Sequence, residues 1–152
     1  KNALKYFGDK PFFVLNSDAL WIDGPSPALQ RLTMAWDEKR MDALLLFYPV
    51  FRLFHYTGCG DFYLDSSGIA KRRIGFGLSP FIFAGVQILN KKLFHETPDG
   101  PFSLNVLYNR AEATGRLYAI VHDGDWYHVG TPSELHFAES KLAQRSIKIN
   151  NR

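Results

Sequence analysis

Apolar positions along the chain fall into short unbroken runs and helix-spaced stripes that follow one another in order. Residues 12–15, Phe-Phe-Val-Leu after Pro11, form a continuous apolar run, which predicts a strand covered on both faces. The run stops at Asn16-Ser17-Asp18. Ser26-Pro27 then opens a helix that carries Ala28, Leu29, Leu32, Ala35 and Trp36 on one face. Residues 43–48 make a second buried strand, ended by Pro49. Strand, helix and strand in this order predict a βαβ unit with parallel strands and a crossover helix. Residues 50–60 lose periodicity and read as a loop. Residues 61–65 and 69–73, joined by Ser66-Ser67-Gly68, read as a hairpin. Residues 81–89 return to a central strand, interrupted by Gly85, and a glycine inside a strand implies close approach of other backbone or a ligand. Ser103 caps a helix to about Thr114, residues 116–122 and 126–129 are strands, and Asp123-Gly124 is a turn between them. The sharpest local signal is Thr131-Pro132-Ser133-Glu134, a capping box with proline at the first helical position, which opens a helix to about Ser146. Residues 1–7 carry Ala3, Leu4 and Phe7 at helical spacing before Gly8, as the tail of a helix would. With no initiator methionine, the expectation is a piece lacking its N-terminal part.

Composition narrows this to one globular α/β domain. The chain has 152 residues, 46% of them hydrophobic and 22% charged, which excludes disorder and allows a core without disulfides or structural metal. No apolar run approaches the roughly 20 residues that span a bilayer, so neither a membrane nor a secretory route is expected and the cytoplasm is. Cys59 is the single cysteine and can form no internal disulfide. The net charge of +3, from 18 basic and 15 acidic residues, is too even for nucleic acid and suits small phosphorylated ligands. Aromatic content is 15%, with 13 Phe, and most of it is expected in the core.

In open α/β sheets ligands bind beyond the carboxyl ends of strands, where Asn16-Ser17-Asp18 and His128-Val129-Gly130-Thr131 fall. An acidic residue there can hold a divalent cation against phosphates, or simply cap a turn. Several segments resemble a family at this point. Residues 13–18, Phe-Val-Leu-Asn-Ser-Asp, resemble the hydrophobic-N-G-D strand end of the sugar-1-phosphate nucleotidyltransferases. Phe81-Ile82-Phe83-Ala84-Gly85-Val86 resembles their F-S/A-G-I strand, and residues 126–132, Trp-Tyr-His-Val-Gly-Thr-Pro, resemble their W-x-D-V/I-G-T-P segment. Gly60-Asp61-Phe62 and Phe102-Ser103-Leu104-Asn105 are similar to the bacterial branch with N-acetylmuramate-1-phosphate uridylyltransferases and mannose-1-phosphate guanylyltransferases.

The resemblance implies a Rossmann-like, mixed and mainly parallel sheet flanked by helices and truncated at the N-terminus, with residues 1–152 as the C-terminal part of a single nucleotidyltransferase domain. It implies transfer of a nucleotidyl group from a nucleoside triphosphate to a sugar 1-phosphate, giving a nucleotide sugar for cell-wall or polysaccharide synthesis and pyrophosphate. It makes Asp18 a catalytic residue and the first ligand of Mg²⁺, with Mn²⁺ as the other candidate ion. Asn16, Gly85, Asn105 and Arg73 would touch substrate, Gly85 by leaving room for the sugar ring. Two departures stand out. The family's G-G-x-G-x-R triphosphate loop is absent from these residues, and the aspartate of W-x-D-V-G-T-P is His128 here, a second metal ligand or a hydrogen-bond partner of Asp18 or of a phosphate. Without its loop the chain is expected to be inactive alone, and its raw sheet edge calls for a second copy or a retained N-terminal piece.

Other candidates have simpler readings. Asp123-Gly124-Asp125 mimics a D-x-D metal motif but reads first as a hairpin turn. Lys71-Arg72-Arg73 reads as a solvated strand end, Cys59 has no histidine in its motif, and His55, His95, His122 and His136 lack ligand spacing. A nucleotide-sugar-dependent glycosyltransferase and a non-catalytic nucleotidyltransferase-like binding domain are the alternative functions.

Overall fold

The computed structural model describes residues 3–54, 56–95 and 97–150, with side chains through residue 145. His55 lies outside the described residues. Among the described residues, eight strands and three α-helices follow in the order β1 (Phe12–Leu15), β2 (Ala19–Ile22), α1 (Ala28–Ala35), β3 (Ala43–Pro49), β4 (Phe62–Leu64), β5 (Ala70–Arg72), β6 (Phe81–Leu89), α2 (Asn105–Ala113), β7 (Leu117–Val121), β8 (Asp125–His128) and α3 (Pro132–Asn150). Short 3-10 turns occupy Leu4–Tyr6, Val50–Arg52 and Lys91–Phe94. No helix among the described residues is long and apolar enough to cross a membrane.

The main sheet has the order β5-β4-β6-β3-β7, with β1 also on β6. Every residue of β3 is buried, as its unbroken apolar run requires. Its alternate side chains serve two cores. Ala43, Leu45 and Phe47 meet Leu107, Tyr108 and Ala111 of α2 on one face, while Leu44, Leu46 and Tyr48 meet Ala28 and Leu32 of α1 on the other. Each fully buried Leu or Phe contributes roughly 1.5–3 kcal/mol, so these two layers hold the sheet in place. Trp21 of β2 and Trp126 of β8 pack onto the α1 side, where β2 and β8 form a separate two-stranded sheet.

The sheet is mixed, as expected, but not mainly parallel. Among the described residues only β3 and β7 run parallel; β6 runs antiparallel to β1, β3 and β4. Strands β1 and β3 share a direction, as the βαβ reading requires, yet β6 lies between them. Strand β2 was not foreseen at all. The Asp123-Gly124 turn is not a hairpin, because β7 pairs with β3 and β8 with β2. Its carboxylates meet cations of the chain: Arg31 reaches Asp123 at 2.9 Å and Arg145 reaches Asp125 at 2.6 Å. His122, buried at the end of β7, bridges the carbonyls of Ile22 and Asp125 through Nε2, at 3.1 Å each. Carbonyls only accept, so Nε2 carries the proton and ties the small sheet to the large one. The aromatics divide, with Phe47 and Phe62 stacked in the core and Phe51, Phe54 and Phe76 exposed.

Strand β1 pairs through one edge only among the described residues, and its Phe12, Phe13 and Val14 are half-buried. A free edge bearing apolar side chains templates further strand pairing. The isolated chain is therefore expected to associate as its concentration rises. Light scattering checks this, and Leu15→Pro should reduce the association, because Asn16 N bonds β6 at Gly85 O and the N–H one residue earlier therefore points to the open edge.

Candidate active site

The site is built where β6 departs from regular pairing. Leu45 faces Gln87 and Phe47 faces Phe83, so two steps along β3 match four along β6 and the strand bulges around Gly85. Gly85 has φ of 79°, a conformation that side-chain-bearing residues rarely adopt. A Cβ there would lie 2.9 Å from Ala19 Cβ and 3.0 Å from Asn16 Cβ. The close neighbour that requires glycine here is therefore the β1–β2 turn itself, at Asn16 and Ala19. The carbonyls around the bulge are used: Gly85 O accepts from Asn16 N at 2.8 Å and Ala84 O from the Trp126 indole at 2.9 Å. These two bonds fix the β1–β2 turn and β8 to the same stretch of β6.

Asp18 and His128 consequently meet. Ala19 pairs with His128 across the small sheet, Val129 N donates to Asp18 O at 2.9 Å, and His128 Nε2 lies 3.3 Å from Asp18 Oδ2. The other ring nitrogen, Nδ1, lies 3.0 Å from Glu134 Oε1. Asp18, His128 and Glu134 side chains are 48%, 46% and 40% exposed, which leaves the group open to a ligand. Beside it lies a cavity of about 670 Å³ lined by His128 and Glu134 with Phe54, Tyr56, Trp126 and Phe137. An aromatic wall with a few polar groups is the usual make-up of a small-molecule site.

The electrostatics follow from the geometry. The hydrogen bond to Glu134 raises the His128 pKa above its ordinary 6.5, against partial burial and with help from Asp18. Glu134 is in turn held below its usual 4.5 by His128 and then by Thr131. A raised histidine contributes stability below pH 6.5 and loses it as pH rises through its folded pKa, whereas a lowered glutamate contributes above pH 4.5 and loses it as pH falls. The pair is thus strongest between about pH 4.5 and 6.5. The unfolding free energies of wild type and His128→Ala should differ more at pH 5.5 than at pH 8.5, and denaturant titration at both pH values checks it.

The remaining sequence candidates fall elsewhere. Arg73 donates through Nε to Gly60 O at 2.9 Å and through Nη1 to Gly75 O, so its guanidinium braces two glycine loops. Asn105 is exposed at the start of α2, with its backbone N–H held by Ser103 Oγ at 3.2 Å. Asn16 is exposed over Gly85. Neither Arg73 nor Asn105 hydrogen-bonds to Asp18 or His128 among the described residues. Glu134 and the aromatic wall were not foreseen as site residues; the capping box announced Glu134 only as a helix start.

The fit of a metal can be judged from the donors. No group of three or more His, Cys, Asp or Glu side chains among the described residues is arranged to hold a metal. One oxygen of Asp18 suits Mg²⁺, which keeps waters and phosphate oxygens in its shell. Nε2 of His128, 3.3 Å from Asp18 Oδ2, is the nitrogen that would have to be unprotonated to serve as a second ligand.

Comparison with known proteins agrees with this architecture. No protein-family model matches the chain. It is 34% identical over 144 residues to an N-acetylmuramate alpha-1-phosphate uridylyltransferase of Caulobacter vibrioides, covering 95% of this chain and 60% of the relative. A UDP-glucose pyrophosphorylase structure superposes with a TM-score of 0.69 at 18% identity, over 95% of this chain and 58% of that one. HddC from Yersinia pseudotuberculosis gives 0.67 at 23% identity, over 93% and 59%. The chain thus spans about 60% of the length of the proteins it matches. In sequence and in fold it is a relative of the sugar-1-phosphate nucleotidyltransferases, corresponding to part of their length.

Proposed function

We propose that the whole protein transfers a nucleotidyl group from a nucleoside triphosphate to a sugar 1-phosphate, and that this chain is the C-terminal part of its nucleotidyltransferase domain. The observation that carries the reading is the meeting of Asp18 and His128 at 3.3 Å beside the aromatic cavity. Two segments over a hundred residues apart are brought together there by the bulge at Gly85, on a chain related to a uridylyltransferase.

In the proposed reaction an oxygen of the sugar phosphate attacks the α-phosphorus in line. The new P–O bond forms as the bond to the β-phosphate breaks, and pyrophosphate leaves with the electron pair. Catalysis of this kind is positioning and charge stabilisation. His128, whose pKa is raised by the Glu134 carboxylate and then by Asp18, lines the cavity, where the protonated ring would attract a phosphate oxygen. Asp18, 3.3 Å from Nε2, fixes the orientation of the ring beside the cavity. Mg²⁺, or Mn²⁺, when held by Asp18, would neutralise phosphate charge. Arg73, at the glycine loops, and Asn105, at the start of α2, are the further substrate contacts of this reading; Gly85 and Asn16 act by shaping the turn that carries Asp18. The cytoplasm, where nucleoside triphosphates are made, is the proposed site of action, and the nucleotide sugar would feed cell-wall or polysaccharide synthesis.

Phosphorus NMR of the whole protein's reaction tests this. Pyrophosphate and a nucleotide sugar should appear together, and only when both substrates are present. Formation of a free nucleoside diphosphate from a nucleotide sugar would instead mark a glycosyltransferase.

A further inference from the structure

The ring of His128 is constrained on its whole Nδ1–Cε1–Nε2 edge. Glu134 Oε1 holds Nδ1 at 3.0 Å and Asp18 Oδ2 holds Nε2 at 3.3 Å. Between them, a Cβ built on Gly130 would lie 2.5 Å from Cε1 and 3.0 Å from Nε2, so the ring rests over a residue that cannot carry a side chain without moving it. Trp126 lies near-parallel to the ring, 21° apart with centroids 6.4 Å away. Glu134 is itself fixed, since its Oε2 accepts from Thr131 Oγ1 at 2.8 Å and its backbone N–H donates to the same hydroxyl at 3.3 Å.

In an ordinary capping box the glutamate side chain reaches back to the backbone N–H of the capping residue. Here its second oxygen goes to the imidazole. The first turn of α3 therefore does two things at once: Thr131 anchors the helix end, and the anchored carboxylate aims a side chain six residues earlier in the chain.

We infer that Glu134 is a positioning residue which, with the bare backbone of Gly130 as a seat, sets the His128 ring beside the cavity so that Nε2 points to Asp18. The consequence for turnover rests on the reading of the site proposed above; the setting of the ring does not. The Asp-to-His departure at position 128 is then matched to its surroundings. An aspartate there would face the Glu134 and Asp18 carboxylates with like charge, whereas the imidazole bridges them.

The test uses two readouts. In the chain as it stands, a nuclear Overhauser contact between His128 Hε1 and Gly130 Hα should be present in wild type, retained in Glu134→Gln and weakened at least about threefold in Glu134→Ala. In the whole protein, Glu134→Ala should lower kcat roughly tenfold, the loss usual for residues behind the reacting groups, with KM for the nucleoside triphosphate nearly unchanged, and Glu134→Gln should recover most of it. A full-strength contact in Glu134→Ala overturns the assignment of Glu134. A lost contact with unchanged kcat leaves the ring's seat intact and overturns the catalytic reading of His128 instead. Should Glu134→Ala fail to fold because the cap is lost, Gly130→Ala keeps the cap and pushes the ring from its other side. That variant should show the same kcat loss, and an undisturbed ring with unchanged kcat would overturn the proposal.

Discussion

Gly85→Ala is expected to destabilise the domain by roughly 3 kcal/mol and to disturb the candidate site in the same step. Two costs combine at one position. The backbone at φ of 79° disfavours any residue with a Cβ, and that Cβ would press on Asn16 and Ala19 at 3.0 and 2.9 Å, the residues flanking Ser17 and Asp18. Neither neighbour is the end of a flexible side chain, so relief requires the β1–β2 turn to shift. Because Asn16 N hydrogen-bonds to Gly85 O, such a shift carries Asp18 away from His128. Denaturant unfolding measures the first effect, and activity of the whole protein measures the second. A change below about 0.5 kcal/mol, the level of an ordinary surface substitution, would mean that the bulge does not constrain the turn.

Asp18→Asn should do the reverse, leaving the fold intact while lowering turnover by at least about a hundredfold. Asparagine keeps the shape of the side chain and can still accept a hydrogen bond from His128 Nε2 at the 3.3 Å contact. With both partners about half exposed, the lost ion pair is worth under about 1 kcal/mol of stability. What disappears is the negative charge that orients the imidazole and suits a cation. Parallel circular dichroism and rate measurements separate the two effects, and near-normal turnover would remove Asp18 from the proposed reaction.

Much of this arrangement was legible because local patterns were sufficient. The unbroken run at 43–48 and the interrupted run at 81–89 announced β3 and β6, and the capping box announced α3. Strand direction was not legible, because a run buried on both faces looks the same whichever way its neighbours point. Strand β2 escaped because its four residues, half-buried throughout, take their partner from β8, roughly a hundred positions along the chain. Gly85 advertised a close approach, but only the bulge against β3 showed that the approaching group was the chain itself. The placement of Asp18 near a strand end was readable, and so was the departure at His128. Their direct contact was foreseen as one of two readings. The part of Glu134 was hidden because a carboxylate has two oxygens and the capping motif accounts for only one environment. Arg73, chosen as a cation near a sugar phosphate, is used by backbone carbonyls that no sequence pattern marks.

The most direct test of the account follows the α-phosphorus. The whole protein would be supplied with a nucleoside triphosphate labelled at that atom, Mg²⁺ and a sugar 1-phosphate, and the labelled products separated. The account predicts that the label moves into a nucleotide sugar while an equal amount of unlabelled pyrophosphate is released, and that both stop when the sugar 1-phosphate is omitted. Label that remains in the triphosphate, or appears as free nucleoside monophosphate without regard to the sugar phosphate, would contradict it.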